Sequence, residues 1–98
     1  MHARATSVRF QPDTVDEATS IFRDVMLPRA STLQGFKGAY ILMSDTHPDQ
    51  GIIITLWETL DDLLSSSPPE DILPDLDRLD ELIAEMHQDT YHVLLSLP

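Results

Sequence analysis

The chain has 98 residues, 42% of them hydrophobic, with 6 Lys plus Arg against 17 Asp plus Glu and a net charge of −11. That length predicts a single domain over 1–98, and a charge of this sign repels phosphate backbones and anionic membrane surfaces, which excludes nucleic acid and membrane as partners. Cysteine is absent, so disulfides, thiolate catalysis and thiolate metal sites are excluded as well.

The imbalance is uneven. Residues 1–49 hold five basic and six acidic side chains, whereas 50–98 set Arg78 alone against eleven acids. Such a half reads as a solvated helix surface that keeps the protein soluble. No run approaches the roughly 18–20 apolar residues of a membrane span, and Met1 to Phe10 lacks the apolar core of a signal peptide. A cytoplasmic location is expected.

His2 to Phe10 predicts a first strand, ended by Gln11-Pro12-Asp13. Thr14 followed by Glu17 has the spacing of a capping box, and Asp13 and Asp16 add negative charge where a helix dipole favours it. Val15, Ala18, Phe22 and Val25 then recur at helical spacing, with Ile21 and Met26 beside them. Pro28 should kink or end this helix, because it has no N–H to bond residue 24. Gly35 suits the left-handed position past its end.

Lys37 to Ser44 predicts the second strand, with Ala39, Ile41 and Met43 on one face and Gly38, Tyr40, Leu42 and Ser44 on the other. The polar stretch from Asp45 to Gly51 is a loop joining an antiparallel pair. Gly51 to Glu58 reads Gly-Ile-Ile-Ile-Thr-Leu-Trp-Glu, with no alternation of apolar and polar residues. A short β-branched run of that kind predicts a strand buried on both faces.

Thr59 caps a second helical region with Asp61 and Asp62 in its first turn, and Ser65-Ser-Ser-Pro-Pro69 splits it. Leu76, Leu79, Ile83 and Met86, with Leu82 beside them, form a further apolar stripe, which carries the helix to His87-Gln-Asp89. Thr90 to Leu97 is then expected as the fourth strand. The order β-α-β-β-α-β, with the second helical region split, predicts an α+β ferredoxin-like fold: a four-stranded antiparallel sheet with both helical regions on one face.

Helices on one face leave the other uncovered, yet three of these strands are apolar on both sides. Three or four Ile or Leu side chains left wet would forgo about 5–10 kcal/mol, comparable to the whole stability of a small domain. A second copy of the chain, packed sheet to sheet, is the expected cover.

Val15-Asp-Glu-Ala18, Leu27-Pro28, Gly35-Phe-Lys-Gly-Ala39 and Thr55-Leu-Trp-Glu58, set in that order of elements, resemble the antibiotic biosynthesis monooxygenase-like proteins of the dimeric α+β barrel superfamily. The resemblance covers nearly the whole chain. It implies a homodimer whose sheets close a dimeric α+β barrel, with a ligand cavity between sheet and helices in each subunit. Family members include cofactor-independent oxygenases of polyketide-type phenols or quinols, haem degraders, and proteins without a known reaction. Their sites commonly use an asparagine, a tryptophan and a histidine or tyrosine. Trp57 matches the tryptophan; the asparagine has no match, since the chain contains none. Ser65-Ser-Ser-Pro-Pro69 stands where haem degraders carry a histidine, which argues against haem degradation.

With simple register, one sheet face would gather Thr6, Val8, Tyr40, Leu42, Ile53, Thr55, Trp57, His92 and Leu94, a set suited to a small aromatic or quinone-like ligand; a one-residue slip would scatter it. Within that set His92 is the candidate general base, and Tyr40 the candidate partner for a phenolate-like intermediate. Trp57, Thr55, Thr6 and Leu42 would line the ligand. Each has a plainer alternative: core packing for Trp57, a half-buried tyrosine with a wet hydroxyl for Tyr40, a satisfied structural histidine for His92. His87, Asp89 and His92 straddle the expected helix–strand junction and match no i, i+4 pair, so no metal site is expected. No cofactor is expected either, because nucleotide-binding glycine motifs are missing. The competing reading is a non-catalytic accessory or binding protein with a filled cavity.

Overall fold

A computed structural model describes residues 1–97. The first strand, β1, spans His2–Phe10. Three helical pieces follow as one rod: α1 (Val15–Ile21), a π-helical turn (Phe22–Met26) and α2 (Leu27–Ala30). Next come β2 (Phe36–Met43), β3 (Gln50–Trp57), α3 (Leu60–Ser65), a 3-10 turn (Glu70–Ile72), α4 (Leu73–Leu82) and β4 (Ile83–His92). The sheet order is β2-β3-β1-β4 with every pair antiparallel, which is the ferredoxin-like arrangement.

Pro28 neither stops nor breaks the first helical rod. The chain accommodates the missing N–H by widening the preceding turn, so that Leu27 N–H reaches Phe22 C=O five residues back, and helix continues to Ala30. The Thr14 capping box also does not form. The Thr14 hydroxyl donates to the carbonyls of Gln11 (2.7 Å) and Leu82 (3.2 Å), while Glu17 accepts two hydrogen bonds from Arg78 (2.6 and 2.8 Å). A tertiary tie between α1 and α4 takes the groups that a local cap would have used. At α3 the expected cap is present: Thr59 Oγ1 accepts from Asp62 N–H at 3.0 Å. Gly35 has φ +79°, as expected past a helix end, and an added Cβ there would run into the Asp62 side chain.

The largest departure is at the end of the chain. The helix stops at Leu82, and the fourth strand is Ile83–His92 rather than Thr90–Leu97. Ile83 and Met86 fit the helical stripe, but β1 is nine residues long and needs a partner along its outer edge. A strand of ten residues pairs with β1 from His2 to Phe10, whereas in the same register one starting at Thr90 would reach only His2 to Arg4 and leave the rest of that backbone unbonded. The residues after β4 carry no regular structure as far as Leu97, with Val93 N–H on Met1 C=O at 2.8 Å. Leu94, Leu95 and Leu97 are 81%, 89% and 95% exposed.

All helices lie on one face of the sheet. Val8, Phe10, Ala18, Phe22, Leu79 and Leu82 form the core there, with Ile41, Met43, Ile53 and Ile83 against it. Gly51, opposite Met43, keeps this face closed up: an added Cβ would stand 2.7 Å from both Met43 Sδ and Leu42 C=O. The other face carries Ala3, Ala5, Tyr40, Leu42, Ile52, Ile54 and Leu56 and has no cover within the chain. Ile52 of β3, expected to be buried, is exposed.

Candidate functional site

The strand pairings sort the side chains into rows across the sheet. On the helix side, from one end, the rows are Phe36, Trp57, His2, His92; then Ala39, Thr55, Arg4, Thr90; then Ile41, Ile53, Thr6, Gln88; then Met43, Gly51, Val8, Met86. Of the predicted site residues, Thr6, Thr55, Trp57 and His92 therefore do share a face. Tyr40 and Leu42 do not. They pair with Ile54 and Ile52 on the open side, where they are 60% and 46% exposed, and Leu94 lies beyond β4.

The hairpin closure turns β2 over relative to the simple register. With Ser44 N–H on Gln50 C=O at 2.9 Å, Tyr40 falls opposite Ile54 and Leu42 opposite Ile52, while an irregularity between Phe36 and Gly38 affects only Phe36, bringing it into the row of Trp57. The outcome is physically sensible. Ala39, Ile41 and Met43 have no hydrogen-bonding group to satisfy under the helices, whereas the Tyr40 hydroxyl buried there would need a partner.

Trp57 is 3% exposed, stands edge-on to Phe36 with ring centroids 5.4 Å apart, and donates its indole N–H to Thr55 Oγ1 at 2.9 Å. Its orientation is fixed and its one donor is used. Thr6 is also buried, and its hydroxyl is bonded by Gln88 Nε2 at 3.2 Å. His92 is exposed on the edge strand, with its ring edge-on to His2 at 6.4 Å between centroids. The helices stop short of this edge: α3 packs over β1 and β3, so Gln88, Thr90 and His92 face solvent on the helix side.

Three polar residues belong with this group that the sequence-based set left out: Arg4, Gln88 and Thr90. Arg4 was legible, since it precedes Thr6 and Val8 on the same face of the first strand. Thr90 was legible too, opening the expected fourth strand on the same alternation as His92, whereas Gln88 was hidden by reading residues up to Asp89 as helix. His87 and Asp89 point to the open face and His92 to the other, which takes apart the sequence cluster of those three. Among the described residues no three His, Asp or Glu side chains come together as a metal site.

Two open clefts mark the surface, and neither touches Trp57, Thr55 or His92. One, of about 880 Å³, lies at the hairpin end of the open face between Leu42, Ile52, Ser7, Arg9, Glu85 and His87. Across it Arg9 bonds Glu85 at 2.8 Å, and this hydrogen bond holds the Glu85 carboxyl below its ordinary range. The other, of about 240 Å³, lies between Leu33, Gln34, Asp61, Asp62, Ser65 and Ser66. Trp57 itself is buried, while the polar rows open to solvent at the β4 edge.

No protein-family model matches the sequence, and no curated protein matches it. Solved structures do. A protein from Nitrosomonas europaea, provisionally named an antibiotic biosynthesis monooxygenase, is 17% identical with a TM-score of 0.82, over 97% of this chain and 100% of that one. SnoaB, a cofactor-independent oxygenase from Streptomyces nogalater, is 15% identical with a TM-score of 0.83, over 99% of this chain and 96% of that one. A conserved protein from Methanosarcina mazei is 13% identical with a TM-score of 0.77, over 93% of this chain and 91% of that one. The fold implied by the sequence resemblance is thus shared with proteins of that description; identities this low leave the chemistry to be argued from the residues. No helix among the described residues is long and apolar enough to cross a membrane.

Proposed function

We propose that the chain forms a dimeric α+β barrel that binds a small aromatic or quinone-like molecule on the helix side of its sheet, in the cytoplasm. The carrying observation is that Thr6, Thr55, Trp57 and His92 stand on one face of a fold shared with a cofactor-independent oxygenase. A ligand would enter at the β4 edge, lie along Thr90 and Thr55, and have the fixed Trp57 indole behind it. The homodimer follows from the opposite face, where Tyr40, Leu42, Ile52, Ile54 and Leu56 have nothing over them. Those aliphatics await a second sheet, and Tyr40 and Leu42 belong to that contact rather than to the site.

In the catalytic form of this reading the reaction is oxygenation of an electron-rich phenol or anthrone. His92, an exposed imidazole, removes the substrate proton. The resulting anion supplies the electrons that reduce O2: a C–O bond forms, the O–O bond breaks, one oxygen becomes a quinone carbonyl and the other leaves as water. The substrate is its own reductant. A second reading, binding without turnover, is favoured by the burial of Trp57 and by the placement of Tyr40 on the other face.

Oxygen uptake with a panel of anthrones and quinols tests the pair. Uptake that His92→Ala abolishes and Tyr40→Phe leaves alone supports the oxygenase. Saturable binding without uptake supports the second reading. A panel that neither binds nor reacts overturns both.

A further inference from the structure

In a chain with 17 acidic residues, five of the six basic ones have a carboxylate within reach: Arg9 on Glu85, Arg23 on Asp24, Arg29 on Asp71, Lys37 on Glu58, and Arg78 on Glu17 and Glu81. Arg4 has none among the described residues. It is half-buried in the row between Thr55 and Thr90, one row from Trp57. Its single hydrogen bond among the described residues runs from Nη2 to Leu63 C=O at 3.1 Å. That carbonyl does not need it, because Ser66 already supplies a hydroxyl at 2.6 Å and a backbone N–H at 3.3 Å. The contact anchors the guanidinium against α3 and leaves four of its five N–H donors unspent.

The neighbours are arranged as donors too. Thr55 Oγ1 accepts the Trp57 N–H, so its own proton is available to give away. The Thr90 hydroxyl makes no hydrogen bond among the described residues, and the adjacent Asp89 carboxylate, which accepts from Thr90 N–H, belongs to the opposite face. A molecule of net charge −11 repels small anions at long range. A lone, anchored cation flanked by two hydroxyl donors gives an anion the local attraction it would otherwise lack.

We propose that Arg4 is the anion-recognition residue of this site, and that the aromatic ligand carries an oxyanion held by the Arg4 guanidinium with the Thr55 and Thr90 hydroxyls. This rests on the aromatic-ligand reading above and narrows it to acidic aromatics. A carboxylate would take the planar guanidinium two-fold, through parallel N–H donors; a phenolate would take it through one oxygen. In either case the ring is carried toward Trp57.

Binding of 2-naphthoate, 2-naphthamide and 2-naphthol to the protein, followed by titration calorimetry, tests this. Naphthoate is expected to bind at least 10-fold tighter than naphthamide. Arg4→Gln should remove that preference by weakening naphthoate far more than naphthamide, and Arg4→Lys should restore part of it. Naphthol separates the two oxyanions: affinity that rises as pH passes the ligand's own ionisation, in wild type and not in Arg4→Gln, marks phenolate recognition, whereas pH-independent naphthol affinity beside a strong naphthoate preference marks carboxylate recognition. Equal affinity for naphthoate and naphthamide overturns the proposal and leaves the aromatic-ligand reading standing. So does equal weakening of both in Arg4→Gln, which assigns Arg4 a structural role; the urea midpoint of the variant checks that role directly. Failure of all three probes to bind overturns both.

Discussion

Both faces of the sheet are lined with aliphatic side chains, yet only one has anything over it. On the helix side Val8, Phe10 and Trp57 are 5%, 2% and 3% exposed; on the open side Tyr40, Leu42 and Ile52 are 60%, 46% and 41% exposed. The covered face also spends its polar groups differently. Thr6, Thr55, Trp57 and Gln88 bond one another within the sheet, whereas the open face is greasy over β2 and β3 and charged over β1 and β4, where Arg9 and Glu85 meet. One face holds polar groups in fixed positions; the other is open over β2 and β3.

The strongest way to break that contrast is a charge on the open face. Ile54→Lys would place a lysine at the middle of the proposed contact in both copies, at a cost of about 3–6 kcal/mol for the two lost side chains. Sedimentation equilibrium should show a dimer at micromolar concentration that becomes a single subunit in the variant. A wild-type protein that already sediments as one subunit removes the two-fold contact.

Next in size is the covered side. Leu63 is fully buried while its neighbour Leu64 is 63% exposed. Leu63→Ala should therefore lower unfolding stability by about 2–5 kcal/mol, and Leu64→Ala by less than about 0.5 kcal/mol. Urea midpoints compare the two, and equal losses would mean that α3 does not sit on the sheet as described. Smaller again is Thr55→Val, which keeps the shape and takes away the acceptor of a buried indole N–H. About 1–3 kcal/mol should be lost, with a shift in the fluorescence of the single tryptophan; an unshifted spectrum would argue that the bond is not made.

The smallest effect is electrostatic. The hydrogen bond from Arg78 holds the Glu17 carboxyl below its usual 4.5. A carboxyl depressed in the folded state stabilises above its unfolded value, and that contribution is lost as pH falls through the folded one. Arg78→Ala should therefore lower stability slightly at pH 7, only slightly because the pair is exposed, and the difference from wild type should shrink as pH falls below about 4.5. Urea midpoints at pH 7, 4 and 3 read this directly, and parallel pH profiles would show the pair to be idle.

The element order, the ferredoxin-like sheet and the uncovered apolar face were legible in the residues, because strand alternation and helical stripes are local patterns. Trp57 was legible for the same reason, sitting at the end of an unbroken apolar run. What was not legible depends on pairing. Between Pro74 and Ser96 there is no glycine or proline to mark the turn from helix to strand, so Ile83 and Met86 satisfied a helical period until β1 claimed them. The face of Tyr40 turned on how one hairpin closes, which has no composition signal. Arg4 was visible as a residue; its solitude was not, since that required knowing where all the acids go.

The meeting of Gly51 and Met43 has a consequence well beyond one close contact. Residue 51 works as a keyway: the thioether of Met43 and the carbonyl of Leu42 occupy the space that any larger residue would fill, so a methyl group there would push β2 and β3 apart where the hairpin closes. Pairing register decides which side chains share a face, so the sorting of Tyr40 from Met43 rests on a pairing that has room for only a hydrogen atom at this position.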